Sequence, residues 1–416
     1  MLFPINFFSR KQIEKLQFRK LNRVICYAYE HSEFYRSLYR ANNFKPEDFK
    51  SLKDISKIPI VRRRDLRNAP IEQIVTCNDL TKFHLHTTSG SSGISVRYYF
   101  SKWEQILKNY YVLRAYLNAG MGWFVKTVAL RDPIDITKPN LLQKIGLFRY
   151  EYYNIYTPIE EIYEEIRKNN PKRIAILKGY PSDLVNLATL AEQKGNFPKV
   201  DLIYSDSEVL DSNSREYINK VFDCKVLDFY ASVECGMIAF QTPSSGNKYC
   251  INEDAVLLET IEQDGVAEVV ISNLRNTTFP IIRYEIGDAI DFGKQSIDKY
   301  TGFKTLKQIY GKYLDFILLP DKTIVSPHIP KQDLTHTKGV AKFKLVQTKI
   351  DKIIIYIQKN DDWTDTTENE LVEKLNKGFK NQVTINFSYV EKLERGDKRK
   401  FKCIESLVAQ EFLSKK

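Results

Sequence analysis

Predicted strands and helices alternate in the middle of this chain, and that order constrains the fold more than any other feature. Residues 173–177, 200–204 and 226–230 read as strands, since they are short apolar runs bounded by polar segments. Residues 181–194 and 213–222 read as helices between them. A helix between two successive strands is typical of βαβ units, so this segment predicts a parallel sheet covered by helices.

The second half of the chain has a different pattern. After Cys250, residues 256–260, 266–272 and 281–284 are β-rich and separated by short turns, which predicts an antiparallel sheet. From about Asp315 onward, predicted strands at 343–348, 352–358 and 383–390 and a helix at 368–379 indicate a compact α+β unit. We therefore predict an α/β protein. Its large N-terminal domain (1–311) has mixed and parallel sheets flanked by helices plus an antiparallel β portion. A hinge (312–315) leads to a small, mobile C-terminal α+β domain (316–416).

The composition favours a globular protein with an anionic ligand. The chain has 416 residues, of which 43% are hydrophobic and 28% charged, and its net charge is +11. This length predicts two or three cores. The basic side chains are spread along the chain, which argues against nucleic acid and favours a phosphorylated ligand. The six Cys contain no C-x-x-C pair, and we find no signal peptide and no run of about 18 apolar residues, so we expect a cytoplasmic protein.

One helix has a clear start signal. Ser101-x-x-Glu104 is a capping box, and Gly120 is suited to the helix end. The residues that share one apolar face of this helix are Ile106, Tyr110, Leu113 and Leu117.

A loop of small residues, HTTSGSSG at 86–93, lies between two predicted strands, 82–85 and 96–100. Small side chains let main-chain N–H groups turn inward around an anion, and the Thr and Ser hydroxyls add donors. The loop is therefore suited to the phosphates of a nucleotide, although no Lys follows its last Gly as in a mononucleotide P-loop. The alternative is a Ser/Gly-rich surface turn.

Four further clusters carry side chains suited to nucleotide chemistry. Tyr230 to Glu234 follow a predicted strand end, where ligands collect in open α/β sheets, and a carboxylate there suits Mg²⁺. RYEIGD at 283–288 places Asp288 after a tight turn, where it can accept hydrogen bonds from ribose hydroxyls. Gly311 to Asp315 lie at the predicted domain boundary, and RGDKRKF at 395–401 puts cations on a mobile segment. Taken singly, each has a structural alternative: a helix cap, a turn acid, a linker and a solvated basic run.

Together, these clusters resemble in order and spacing the adenylate-forming acyl–AMP ligase superfamily. Within it they resemble the phenylacetate–CoA ligase family and its capsule-biosynthesis-like branch, over nearly the whole chain. The segments that carry the resemblance are 28–36, 52–59, 65–67, 88–93, 179–182 (GYPS), 207–208 and, most specifically, FPIIRYEIGD at 279–288.

The resemblance implies a role for each site residue. Lys400 and Glu234 would be catalytic, with Lys400 on the substrate carboxylate and the α-phosphate and Glu234 on Mg²⁺. Tyr230 would pack on adenine, Asp288 would bind the ribose, and Asp315 would be the hinge. The other implied nucleotide-binding residues are Thr88, Ser89, Gly90, Ser91, Ser92, Gly93, Ser207, Glu208, Ala231, Ser232, Arg283 and Lys312. ATP and Mg²⁺ are the implied cofactors, with coenzyme A as one candidate acceptor.

Four positions depart from the family pattern. Val233 stands where Ser or Thr is usual, Lys312 replaces an Arg, and Arg399 replaces the Gly before the catalytic Lys. The Pro that is common shortly after the phosphate loop is absent. These departures leave the metal, ribose and Lys roles in place and bear on the reaction rate and on the geometry of the phosphates. At Lys312, for example, the ammonium is a point charge, whereas the guanidinium of an Arg could bind two phosphate oxygens at once.

Two other groups suggest metal sites as alternatives. His84 and His86 lie on one face of a strand, with no obvious carboxylate or Cys nearby. Cys224, Cys235 and Cys250 bracket the Glu234 segment, without an evident full ligand set for Zn²⁺.

The resemblance therefore implies an ATP-dependent, AMP-forming ligase that makes an acyl-adenylate from an aryl or other small organic acid. The acyl group would pass to the thiol of coenzyme A, or to an amine or hydroxyl of a surface-polysaccharide precursor. The alternatives are a degenerate member that binds nucleotide without turnover, which Val233 and Arg399 favour, and a nucleic-acid binder. The expected partners are the carboxylate, the acyl acceptor and, in a homodimer, a second copy of the chain.

Overall fold

A computed structural model gives the fold. It describes residues 5, 8–77, 79–87, 96–133, 136, 139, 141–210, 212–263, 266–294, 296–312, 317–321, 324–325, 330, 333–334, 337–391, 393 and 403–408. The α-helices are α1 (Arg10–His31), α2 (Glu33–Ala41), α3 (Arg63–Asn68), α4 (Ile71–Ile74), α5 (Lys102–Asn118), α6 (Leu141–Lys144), α7 (Ile159–Asn169), α8 (Pro181–Lys194), α9 (Ser212–Phe222) and α10 (Asp365–Gly378). Short 3₁₀ segments span Pro46–Asp48, Leu52–Lys57 and Leu80–Lys82.

The strands form one large sheet and several smaller ones. They are β1 (His84–Thr87), β2 (Arg97–Phe100), β3 (Lys126–Arg131), β4 (Arg149–Asn154), β5 (Arg173–Ile174), β6 (Ile176–Gly179), β7 (Lys199–Val200), β8 (Leu202–Asp206), β9 (Lys225–Ser232), β10 (Gly236–Phe240), β11 (Tyr249–Ile251), β12 (Val256–Gln263), β13 (Val266–Asn273), β14 (Tyr284–Asp291), β15 (Thr305–Leu306), β16 (Gln308–Lys312), β17 (Ile317–Leu318), β18 (Ile324–Val325), β19 (Val340–Lys349), β20 (Lys352–Lys359), β21 (Thr384–Tyr389) and β22 (Ile404–Ser406). The smaller sheets have the orders β1-β2, β5-β7, β12-β13-β14-β16, β17-β18 and β21-β20-β19-β22.

The large sheet has eight strands in the order β15-β11-β10-β9-β8-β6-β3-β4. Strands β9, β8, β6, β3 and β4 run parallel to one another. Parallel neighbours cannot be joined by a tight hairpin and need a longer crossover connection, which helices such as α8 and α9 provide. Strands β10, β11 and β15 continue the sheet antiparallel. The predicted parallel sheet is thus confirmed, and α8 has the bounds that the sequence predicted.

The two faces of this sheet pack against different helices. Leu177 and Ile203 are buried among apolar residues of α7, α8 and α9. Their neighbours along the strands, Ile176 and Tyr204, are buried on the other face with residues of α5. This alternation follows from the strand period of two and leaves both faces covered, as parallel sheets require.

The predicted capping box is present at the start of α5. Glu104 N donates to Ser101 Oγ at 3.2 Å, and Ser101 N donates to Glu104 Oε2 at 2.7 Å. The predicted apolar face is only partly buried, since Ile106 is 56% exposed while Arg114 is fully buried. Arg114 turns inward because its guanidinium binds both carboxylate oxygens of Asp254, at 2.9 and 2.5 Å.

The predicted strand at 281–284 is wrong, because β14 begins only at Tyr284. The backbone of Arg283 has a φ of +44°, which interrupts the extended conformation just before that strand. Val61 N donates to the carbonyl of Arg283 at 3.0 Å. This carbonyl is therefore hydrogen-bonded to the N-terminal segment and not to a neighbouring strand of the antiparallel sheet.

The chain divides into two compact units. The first comprises Met1–Thr260, Val269–Ile286 and Ile290–Gln308, and the second comprises Ile261–Glu268, Gly287–Ala289 and Ile309–Lys416. In the second unit, β19 pairs antiparallel with β20, and β21 and β22 join this pair in parallel. Leu371 and Leu375 of α10 share the core of this sheet. The predicted small α+β fold is therefore confirmed. Residues 313–315 of the predicted hinge (312–315) lie outside the described residues, and the hinge stays a prediction.

None of the helices among the described residues combines the length and the apolar character that a bilayer span requires.

Candidate active site

The carboxyl ends of the parallel strands lie along one edge of the eight-stranded sheet. Strand β9 ends with Tyr230, Ala231 and Ser232, and Ser207 directly follows its neighbour β8. Tyr230 is buried, whereas Ala231 and Ser207 are exposed. Because ligands bind outside the carboxyl ends of strands in open α/β sheets, this edge is the candidate site.

Glu234 lies in the turn between β9 and β10 and is only 6% exposed. Its Oε1 accepts a hydrogen bond from Tyr98 Oη at 3.1 Å. Burial and then the charge of Glu234 raise the pKa of Tyr98, so this phenol stays protonated and keeps donating. The predicted metal ligand is therefore a carboxylate whose orientation is fixed by a neighbouring strand.

The main chain of this turn is held from outside. Ser232 Oγ accepts a hydrogen bond from Cys235 N at 3.1 Å. Each of the turn's three carbonyls accepts a hydrogen bond from a side chain distant in the sequence: Lys108 Nζ to Val233 at 3.2 Å, Asn273 Nδ2 to Glu234 at 3.1 Å, and Arg275 Nη2 to Cys235. The position of Glu234 is therefore set by contacts with other elements as well as by its own strand ends.

Lys108 is a residue that the sequence analysis missed. It lies on α5, and its ammonium is 4.7 Å from the centroid of the Phe100 ring. Burial, together with the charge of Arg275, lowers the pKa of Lys108 to about 8, although Glu234 acts in the opposite direction. A single Lys in a helical pattern is typical of a solvated face, so no sequence signal marked it.

The side chains around Glu234 fit Mg²⁺ in one mode of binding. Within the described residues, no group of three or more His, Cys, Asp or Glu side chains is placed to hold a metal ion. Mg²⁺ is commonly held by one or two carboxylates, with substrate phosphates and waters completing its octahedron. A single fixed carboxylate at the strand end suits that mode, in which the nucleotide supplies further ligands.

The two alternative metal sites gain no support from the part of the chain that is described. His86 Nε2 lies 2.9 Å from Gln105 Oε1, and its ring packs edge-on against Phe100. Cys235 and Cys250 are buried and Cys224 is half-buried, and all three are free thiols. Neither set forms a cluster of three or more metal-ligating side chains there.

Glu208 connects the end of β8 to the start of α8. Its Oε2 accepts a hydrogen bond from Ser182 N at 3.2 Å, in the first turn of the helix. Main-chain N–H groups in that turn lack intrahelical partners, so a carboxylate there is favourable. Ser207 has a φ of +71°, which bends the chain between the strand and Glu208. The contacts thus join two of the segments, 179–182 and 207–208, that the resemblance singled out.

Arg283 binds protein groups in this structure. Its Nε and Nη2 donate to the two carboxylate oxygens of Glu259, each at 3.3 Å. Its Nη1 donates to the carbonyls of Ser56 at 3.2 Å and Ile58 at 2.5 Å. These contacts indicate a structural role for its side chain, and its predicted contact with nucleotide stays a prediction.

The other predicted site residues are spread over the chain. Asp288 is buried on β14 and belongs to the second compact unit. Lys312 is the last residue of β16. The phosphate loop at 88–93, Asp315 and Lys400 lie outside the described residues.

A charged group at the same sheet edge was also missed. It consists of Arg131 at the end of β3, Lys178 on β6 and Asp206 at the end of β8. The only signal in the sequence is that Lys178 interrupts the apolar run of a buried strand. Sequence alone could not show that the three side chains meet, because their contact depends on the order of the strands.

Comparison with known proteins finds one similar protein over most of the chain and others over parts of it. Residues 317–406 match the CapK C-terminal domain family. The chain is 24% identical over 410 residues to Protein CapK of Staphylococcus aureus, covering 93% of this chain and 88% of that protein. This chain is thus similar to CapK over most of its length. It is also 31% identical over 100 residues to phenylacetate-coenzyme A ligase of Escherichia coli (strain K12), covering 22% of this chain and 21% of that ligase.

The fold of this chain is shared with a solved ligase. The crystal structure of 2-hydroxyisobutyryl-CoA ligase, in the postadenylation state in complex with R3-HIB-AMP, superposes with a TM-score of 0.78 at 18% identity. The match covers 98% of this chain and 92% of that one. The predicted resemblance and fold class are thereby confirmed: the chain has the adenylate-forming ligase fold with a small C-terminal domain.

Proposed function

We propose that this chain is an ATP-dependent, AMP-forming carboxylate ligase. The observation that carries the proposal is the likeness over the whole chain. It extends over 93% of the chain in sequence, to CapK, and over 98% in fold, to a ligase solved with an acyl-adenylate. The fixed carboxylate of Glu234 at the strand end adds the group that such chemistry needs beside a nucleotide.

The proposed reaction has two steps. An oxygen of the substrate carboxylate attacks the α-phosphorus of ATP, the bond from that phosphorus to the bridging oxygen breaks, and pyrophosphate leaves. The product is an acyl-adenylate. A thiol, amine or hydroxyl then attacks the acyl carbon and loses its proton, and AMP departs. Positioning and stabilisation of charge supply most of the catalysis in such transfers.

The proposal gives the described residues separate tasks. Mg²⁺ held by Glu234 would neutralise phosphate charge during the first step. Tyr98 keeps the Glu234 carboxylate in one orientation, and Lys108 fixes its turn. Tyr230 would pack on adenine, and Asp288 would accept hydrogen bonds from the ribose.

The remaining predicted residues complete the proposed site. The loop at 88–93 would wrap the β- and γ-phosphates, and Lys312 would add a cation. Lys400 would contact the substrate carboxylate and the α-phosphate during adenylation. Rotation of the C-terminal domain about a hinge at Asp315 would then move Lys400 away. We further propose a cytoplasmic enzyme that acts on a small organic acid. Coenzyme A or a surface-polysaccharide precursor would be the acceptor, and a homodimer the assembly.

The test is acid-dependent exchange of pyrophosphate into ATP over a panel of small carboxylic acids. We expect exchange with the wild type and a loss on the order of a hundredfold or more in Glu234→Gln, which keeps the shape of the side chain but removes its charge. The matched control is Glu373→Gln, at an exposed position of α10, which should exchange like the wild type. Exchange by Glu234→Gln at the wild-type rate would refute the metal role, and no exchange with any acid would refute the activity.

A second function is favoured by the same turn. Val233 supplies no hydroxyl where the family pattern has one, which is expected in a protein that binds nucleotide without turnover. Calorimetry separates the two functions, because that alternative predicts ATP binding by a wild type that exchanges no pyrophosphate.

A further inference from the structure

Three charged side chains converge where β3, β6 and β8 end, and the reaction as described does not use them. Lys178 is the register partner of Ala129 on β3 and of Tyr204 on β8. Arg131 and Asp206 lie two residues further along those strands, so they share the sheet face of Lys178. We call Arg131, Lys178 and Asp206 the basic cluster.

The contacts within the basic cluster are short. Arg131 Nη1 and Nη2 donate to Asp206 Oδ1 and Oδ2 at 2.7 and 2.5 Å. Lys178 Nζ lies 3.2 Å from Asp206 Oδ2. The side chains of Arg131, Lys178 and Asp206 are 11%, 9% and 13% exposed, respectively. The cluster is therefore mostly buried but keeps some contact with solvent.

The basic cluster has more positive than negative charge. Arg131 occupies both oxygens of Asp206 in the bidentate geometry that a guanidinium and a carboxylate prefer. Lys178 is therefore a second cation on a carboxylate that is already paired, and a buried cation is costly unless it is neutralised. Burial and the charge of Arg131 lower the pKa of Lys178, and Asp206 offsets this only in part. An anion brought by a ligand would pair with this charge.

Tyrosine side chains hold both cations. Lys178 Nζ donates to Tyr116 Oη of α5 and lies 4.4 Å from the centroid of its ring. The Arg131 guanidinium lies 5.3 Å from the ring of Tyr180. Tyr204 stacks on Tyr116 with ring centroids 5.4 Å apart. Cation–π contacts of this kind keep the charged groups in place.

The basic cluster lies at the same sheet edge as the candidate active site. Asp206 directly precedes Ser207 and Glu208 in the chain. Asp206 is also the register partner of Phe229 on β9, three residues before Ser232. The cluster therefore lies next to the strand that leads into the Glu234 turn. The acid substrate would have to bind in this region in order to react beside Glu234.

We propose that the basic cluster binds a second anionic group on the acid substrate, which would make that substrate a dicarboxylic acid. One carboxylate would pair with Lys178 and Arg131, and the other would react. This inference rests on the proposed function and refines it. An unsubstituted aryl acid would bring no second anion to the basic cluster, and Lys178 and Arg131 would have only Asp206 between them, so the cluster indicates a substrate class different from phenylacetate.

The first arm of the test measures binding without turnover. Thermal unfolding is followed with malonate, succinate, glutarate or adipate, each beside the monocarboxylate of equal carbon number. We expect at least one dicarboxylate to raise the Tm of the wild type, and the monocarboxylate of equal carbon number not to do so.

The variants test whether this rise depends on Lys178. Lys178→Met should abolish the rise, Lys178→Arg should keep part of it, and Lys172→Met, at an exposed position, should behave as the wild type. Lys178→Gln replaces Lys178→Met if that variant does not fold. The inference is overturned if no dicarboxylate raises the Tm, or if the variant lacking the ammonium responds as the wild type does.

The second arm measures pyrophosphate exchange with the same pairs of acids. The kcat/KM of the wild type should favour the dicarboxylate by about tenfold or more, and this ratio should fall towards one in Lys178→Met. Equal exchange with both acids of each pair would overturn the inference and leave the ligase function standing. Dicarboxylate binding that depends on Lys178, with no exchange for any acid, would support the inference and refute the ligase function.

Discussion

Replacing Asp228 by Asn should stabilise the protein at neutral pH. Asp228 is buried on β9, in the middle of the large sheet, and accepts a hydrogen bond from Tyr249 Oη at 2.6 Å. Burial raises the pKa of Asp228 from 3.8 to about 6, although the Tyr249 hydrogen bond and the charge of Arg215 act against this. Asp206 adds a smaller effect in the same direction as burial.

The sign and size of the effect follow from this pKa. A folded-state pKa above the unfolded value means that the folded protein holds the proton more tightly, so ionised Asp228 opposes folding. The penalty is absent below the unfolded pKa of 3.8 and grows until the pH passes about 6. A difference of about 2 pKa units corresponds to about 3 kcal/mol. Asn has nearly the same shape, stays neutral, and can still accept the hydrogen bond from Tyr249 through its Oδ1.

Urea unfolding at a series of pH values from 4 to 7 measures this effect. Asp228→Asn should exceed the wild type by up to about 3 kcal/mol at pH 7 and by under about 1 kcal/mol at pH 4. The matched control is Glu216→Gln, an exposed position on α9, whose difference from the wild type should stay within about 0.5 kcal/mol throughout. A stability difference for Asp228→Asn that does not change with pH, or a variant less stable than the wild type at pH 7, would refute the reasoning.

Three further predictions test other parts of the molecule. Asp288→Ala should weaken ATP binding by about 1–3 kcal/mol, the range for a hydrogen bond to a charged group, and unchanged affinity by calorimetry would exclude the ribose role. Lys400→Ala should abolish acyl-adenylate formation and leave transfer from a pre-made acyl-adenylate largely intact, so equal loss of both half-reactions would contradict a moving C-terminal domain. Arg114→Met should lower the free energy of unfolding by about 3–5 kcal/mol, because Asp254 would be left buried without its partner. Urea unfolding measures this loss, and a change under about 1 kcal/mol would show that Asp254 finds another cation.

Much of the fold follows from local patterns in the sequence. The capping box of α5 and the full length of α8 depend on residues within a few positions of one another. The strands β8 and β9 were recognised for the same reason, since an apolar run of a few residues between helices leaves few other structures. The start of β14 was not, because the positive φ of Arg283 accompanies contacts with Glu259 and with a carbonyl far away in the sequence, and no local pattern marks those contacts.

The site was predictable only where a motif runs along one segment. Glu234 is singled out because it follows a strand end in a recognisable order of residues, and its metal role stays a prediction. Lys108, Arg131 and Lys178 were not singled out, because a cation in a helix or strand has the same local pattern whether it faces water or the interior. Their contacts depend on which strands are neighbours in the sheet, and the order of the strands cannot be inferred from the sequence of any single segment.

The turn that carries Glu234 is more firmly held than folding alone requires. A short connection between two antiparallel strands can satisfy its carbonyls with local hydrogen bonds or water. Here they accept from side chains of other elements, two of which, Lys108 and Arg275, are cations whose burial lowers their pKa. Desolvating two cations to hold two of these carbonyls opposes folding, so the arrangement is hard to explain by stability. It is expected if the Glu234 carboxylate must keep one position while charge moves beside it, because a preorganised group does not need to reorient during the reaction.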